Sequence, residues 1–86
     1  MKTINAREVT AGTAVSLESL LRVPMIAENE DDIREAANHL LMEGDRYVIV
    51  DACDVSEDGY ANVTINALDS EHSMSIGALV ELDIAS

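Results

Sequence analysis

Phenylalanine and tryptophan are absent from this chain, and Tyr47 and Tyr60 are its only aromatic residues. Any core must therefore be assembled from small aliphatic side chains, without the large contact areas that aromatic rings supply. Cysteine is almost missing too. Cys53 stands alone, which excludes an intramolecular disulfide and a cysteine-based zinc cage, and its place in an apolar run predicts a buried thiol in a reducing compartment, the cytoplasm. No stretch approaches the ~20 apolar residues of a membrane helix, and the N-terminus has no apolar segment of signal-peptide length, so no membrane role is expected.

Positive charge is the scarcest property of all. Five Lys and Arg stand against 17 Asp and Glu, a formal net charge of -12 in 86 residues. Lys2, Arg7, Arg22, Arg34 and Arg46 are too few and too dispersed to follow a nucleic-acid backbone, and no glycine-rich phosphate loop is present. Direct binding of nucleic acid or anionic lipid is thus disfavoured. A basic site on another protein, in contrast, attracts such a chain from beyond contact distance, most strongly at low salt.

What remains is aliphatic and periodic. With 48% hydrophobic residues and no low-complexity tract, residues 1–86 read as one acidic α+β domain. A domain this small hides only a little over ~60% of its unfolded surface, and a core of modest side chains leaves a margin that a second copy would widen. A homodimer is therefore one expectation.

The clearest element is a helix over residues 30–43, where Ile33, Ala36, Ala37, Leu40 and Leu41 recur on one helical face. Asn29 is placed to cap it, Glu30, Asp31 and Asp32 fall in the first turn, where the macrodipole favours anions, and Gly44 supplies the left-handed stop. Residues 46–55 predict a central strand covered on both faces, with Val48, Val50 and Ala52 on one side and Tyr47, Ile49 and Cys53 on the other. Ala61, Val63, Ile65 and Ala67 alternate with polar residues in a second strand, joined to the first by the turn Ser56-Glu57-Asp58-Gly59.

Residues 74–84 predict a third strand, with Val80, Leu82 and Ile84 inward and Glu81 and Asp83 outward. Ahead of the helix, Val15, Leu17, Ser19, Leu21 and Val23 predict a strand ending near Pro24, and residues 3–6 a shorter one paired with it through Ala11-Gly12. The expected order is β-β-α-β-β-β: a small antiparallel sheet or partly closed barrel with one amphipathic helix packed on it.

Three strings bear on chemistry. Asp54, Ser56, Asp58 and Gly59 match positions one, three, five and six of a calcium loop, yet Ile65 stands where the bidentate Glu belongs. The string reads as an acidic hairpin turn, and no metal or cofactor is expected. His39 is expected to pair with Glu35 on the helix, and His72 to lie in a polar turn at residues 69–73; neither has a neighbouring nucleophile, so no catalytic site is expected. Carboxylates carry the functional expectation. Glu28, Glu30, Asp31, Asp32 and Glu35 gather at the helix start, and Asp54, Glu57 and Asp58 at the hairpin.

In size, acidity and lack of catalytic motifs the chain resembles in character the small phage-encoded inhibitors of host defence nucleases, including anti-CRISPR and anti-restriction proteins. That resemblance implies a non-enzymatic inhibitor, a DNA mimic in the host cytoplasm. Its carboxylates would occupy the nucleic-acid-binding site of a basic partner protein or complex. The other reading is a homodimeric assembly or adaptor module whose charge serves solubility.

Overall fold

The computed structural model describes residues 2–85, which form an α+β fold: six antiparallel strands in one open sheet, with two helices. The strands are β1 (Lys2–Asn5), β2 (Ala14–Ser16), β3 (Tyr47–Val55), β4 (Tyr60–Ala67), β5 (Ser70–Gly77) and β6 (Glu81–Ile84), in spatial order β1-β6-β2-β3-β4-β5. The helices α1 (Leu17–Arg22) and α2 (Glu30–Met42) both fall between β2 and β3. The expected class and the antiparallel sheet are correct; the element order is not.

Three corrections have distinct physical causes. Residues 17–22 form a helix, because Leu17 and Leu20, three apart, are the side chains that reach the core, together with Ser19. The Ser16 hydroxyl accepts the Ser19 N–H at 3.4 Å to start it, and Val23 ends it just before Pro24. Residues 74–84 are two strands rather than one, broken at Gly77: the Val80 N–H returns to the Gly77 carbonyl at 3.0 Å, and β5 begins as early as Ser70. Finally, β1 does not pair with β2. It lies along β6, Lys2 opposite Ile84 and Asn5 opposite Glu81.

The β3 expectation fails in an informative way. Its register with β4 shifts between Val50 and Ala52, so Asp51 is an extra residue. Before the shift Val48 and Val50 face the core; after it Cys53 and Val55 share the face of Val63 and Ala61, and Ala52 turns outward opposite Thr64. The far side of the strand is open, with Ile49 53% exposed, so β3 is covered on one face only. Cys53 is half-buried rather than buried.

α2 follows its expected bounds within a residue. Ile33, Ala36 and Ala37 are buried, while Leu40 and Leu41 pack partly covered against the core. Gly44, at φ +99°, closes the helix: its N–H reaches Leu41 at 3.1 Å and that of Asp45 reaches Leu40 at 3.0 Å. Asn29 occupies the cap position, but its carbonyl rather than its side chain meets the helix, accepting the Ile33 N–H at 3.0 Å. The core is one continuous cluster of aliphatic residues and Met, in which Leu17, Leu20, Ile76 and Leu82 are the largest fully buried side chains.

Candidate protein-binding surface

Arginine decides which carboxylates are structural. Arg34, on the flank of α2 that faces α1, donates from Nη1 to the carbonyls of Leu21 at 2.7 Å and Leu20 at 3.4 Å, and from Nη2 to that of Val23 at 3.2 Å. These are the orphan carbonyls at the end of α1, and the guanidinium caps them. Its Nε holds Glu30 Oε2 at 3.2 Å, one turn back. Glu30, expected at the binding surface, is therefore half-buried and already paired.

Asp83 is drawn in likewise. It accepts from the Thr3 hydroxyl at 2.8 Å and from Arg22 at 3.4 Å, while its own N–H goes to the buried Ser19 hydroxyl at 2.9 Å. The Thr3 hydrogen bond first, then Arg22 and Ser19, hold its carboxyl below the ordinary range, against partial desolvation. The expected outward pair of Glu81 and Asp83 is thus divided between solvent and structure.

Glu28, Asp31, Asp32 and Glu35 are exposed, and among the described residues none of them has a Lys or Arg within ion-pair distance. Glu35 does not pair with His39, whose Nε2 instead meets Glu43 at 3.0 Å, one turn further on. The β4–β5 hairpin lies beside this ridge. A groove of about 420 Å³ separates Glu28, Asn29 and Ile33 from Glu71, His72, Ser73 and Ser75, and a hollow of about 280 Å³ separates Asp32, Glu35 and His39 from Leu68, Ser70 and His72. His72 lies within β5, not in a turn, and lines both. Glu71 and His72 belong to the surface and carry no sign of it in the sequence, because hairpin register alone brings them beside α2.

The second expected cluster is elsewhere. Asp54 sits on the outer sheet face opposite Asn62, whose neighbour Ser75 donates to it at 2.7 Å. Glu57 and Asp58 form the β3–β4 turn at the opposite end of β4 from Leu68, roughly 23 Å away along an eight-residue strand. Asp58 is internally engaged by the Ser56 hydroxyl, which lies against it and 3.1 Å from the Tyr60 carbonyl. Among the described residues no three His, Cys, Asp or Glu side chains are grouped to hold a metal ion. Burial, then the charge of Asp54, push the Cys53 thiol up, away from its reactive thiolate.

What this arrangement offers is hydrogen-bond acceptors and negative potential on an open surface, with a groove beside it. No described helix is long and apolar enough to cross a membrane. No family model, curated protein or solved structure matches the chain.

Proposed function

We propose that this protein is a non-enzymatic acidic binding protein that inhibits a basic partner by occupying its nucleic-acid-binding site. One observation supports the reading above the rest: Glu28, Asp31, Asp32 and Glu35 line one ridge without the arginine partners that Glu30 and Asp83 have. Unpaired surface carboxylates repel one another, and a Lys- or Arg-lined channel relieves that repulsion. The mechanism is competition. The ridge, extended by Glu71, meets cations that otherwise hold phosphates; Asp54 and the Glu57-Asp58 turn form a second patch that reaches further along the same channel. Glu30 contributes charge only as part of the Arg34 pair.

The test is capture of partners from a prokaryotic lysate at low salt, followed by competition with duplex DNA or guide RNA. A nucleic-acid-processing complex that is released by salt and by nucleic acid, and that a protein with Glu28, Asp31, Asp32 and Glu35 changed to Gln or Asn fails to retain, supports mimicry. Retention of that complex by the neutralised protein overturns it. A homodimeric assembly or adaptor module is the second reading, in which apolar side chains left in solvent, Met42 at 89% and Leu79 at 68% exposure, would be covered by a second copy. Salt-indifferent association and a melting temperature that rises with protein concentration are its signs.

A further inference from the structure

The two-residue turn Leu68-Asp69 makes Ala67 and Ser70 the closing pair of the β4–β5 hairpin. Hydrogen-bonded and non-hydrogen-bonded pairs alternate along an antiparallel ladder. His72 and Met74 therefore turn their backbone groups toward β4, and Glu71, Ser73 and Ser75 turn theirs to the free edge. Ser75 is satisfied there: its N–H and carbonyl exchange bonds of 2.8 and 2.9 Å with Ile26, an antiparallel bridge. After Ile26 the chain leaves the edge for α2. Among the described residues, no backbone bond outside the β4 ladder reaches Glu71 or Ser73. The groove of about 420 Å³ opens where the bridge ends, and its size falls within that of ligand clefts, ~300–1,000 Å³.

We infer that this groove receives an extended basic peptide segment of a partner protein, which adds to β5 beside Ser73 and Glu71 and continues the line that Ile26 begins. Charge selects the occupant: the groove carries Glu28 and Glu71, Asp32 and Glu35 stand just beyond, and among the described residues no Lys or Arg lines it. A second copy of this chain, itself at a formal net charge of -12, would bring further carboxylates against Glu28 and Glu71. The sheet also sets the pattern. Peptide residues opposite Ser73 and Glu71 project on the outer face, where a cation meets carboxylate, and the residue between them, opposite His72, projects over Ile33 and Met74, where an aliphatic side chain fits. The inference rests on the acidity invoked above and not on imitation of nucleic acid.

The probe is the peptide acetyl-Val-Lys-Val-Arg-Val-amide, titrated into the isotope-labelled full chain and followed by amide shifts and hydrogen exchange. Glu71 and Ser73 should shift and gain about tenfold protection from exchange at saturation. N-methylation of the peptide's Lys and Arg amides should weaken binding about tenfold or more, because it removes the donors and leaves the charge. Ser73→Pro, which removes the free-edge N–H, should do the same; because it also removes the Ser73 hydroxyl 3.3 Å from that of Thr64, Ser73→Ala is the control and should bind as the unaltered chain does, with the unchanged shifts of other residues reporting the fold. Unaltered binding of the methylated peptide, shifts confined to other elements, equal binding of the Glu-containing counterpart, or no binding at millimolar concentration would each overturn the inference. If the peptide does not bind while the protein still displaces nucleic acid from a partner, this inference fails and the proposed function stands; peptide binding without displacement is the reverse outcome.

Discussion

The flank where α2 meets α1 and the flank where it meets β5 use the same residue types to opposite ends. Toward α1, Arg34 gathers Glu30 and three backbone carbonyls, and the nearby Arg22, Ser19 and Thr3 gather around Asp83. Toward β5, Asp32 and Glu35 face Leu68, Ser70 and His72 across an open hollow. A carboxylate's sequence neighbourhood therefore does not determine its role; whether an arginine reaches it does. Glu30 and Asp31 are adjacent in sequence and belong to different surfaces.

The comparison breaks most readily at Arg34. Arg34→Ala leaves the last carbonyls of α1 without donors and should cost ~2–3 kcal/mol in urea unfolding. Joint neutralisation of Glu28, Asp31, Asp32 and Glu35 should change stability by less than ~1 kcal/mol, since the repulsion it relieves offsets the loss of the Asp31 and Asp32 charges from the first turn of α2. A comparable loss in that variant would erase the distinction between the two flanks. Ser19→Ala comes next, because it strips the buried acceptor from the Asp83 N–H; a loss of ~1–2 kcal/mol is expected in the same measurement.

On the β5 flank a substitution should have the opposite sign. Leu68 and Asp69 both adopt positive φ, +53° and +63°, a region where a side chain costs ~1–2 kcal/mol per residue. Replacing the pair with Asn-Gly should raise stability by ~1 kcal/mol, and a neutral or negative result would mean that contacts of Leu68 in the hollow offset the strain. The smallest effect is a titration. Asp83 is held below the ordinary carboxylate value, so its contribution is present above the unfolded pKa of ~3.9 and is lost as pH falls through the folded value. Thr3→Val removes the principal cause, and carboxyl carbon shifts should report an upward move of Asp83 alone.

Legibility of the chain follows the strength of its periodicities. α2 is plain because thirteen residues sustain one apolar face and Gly44 has no other reading. α1 is not, because over six residues Leu17, Ser19 and Leu21 fit a strand as well as Leu17, Ser19 and Leu20 fit a helix. The start of β5, Ser70 to Ser73, holds no apolar residue, so an edge strand resembles a turn. On β3 a single bulge at Asp51 exchanges the faces of every residue beyond it. The acidic ridge on α2 is visible as composition. Its companion Glu71 is not, since that contact depends on a hairpin whose Leu68-Asp69 turn lacks the usual Gly or Asn.

The position of β6 has a consequence in time. β3, β4 and β5 are sequential neighbours and find one another locally, whereas β1 takes its ladder partner from the far end of the domain, Lys2 opposite Ile84. A ribosome that has delivered the helices and the β3–β4–β5 meander still carries an N-terminal strand without a template. β6 then lies between β1 and β2 and joins them. Folding of this sheet is thus completed from its middle by β6, and its rate should be governed by that long closure rather than by the helices.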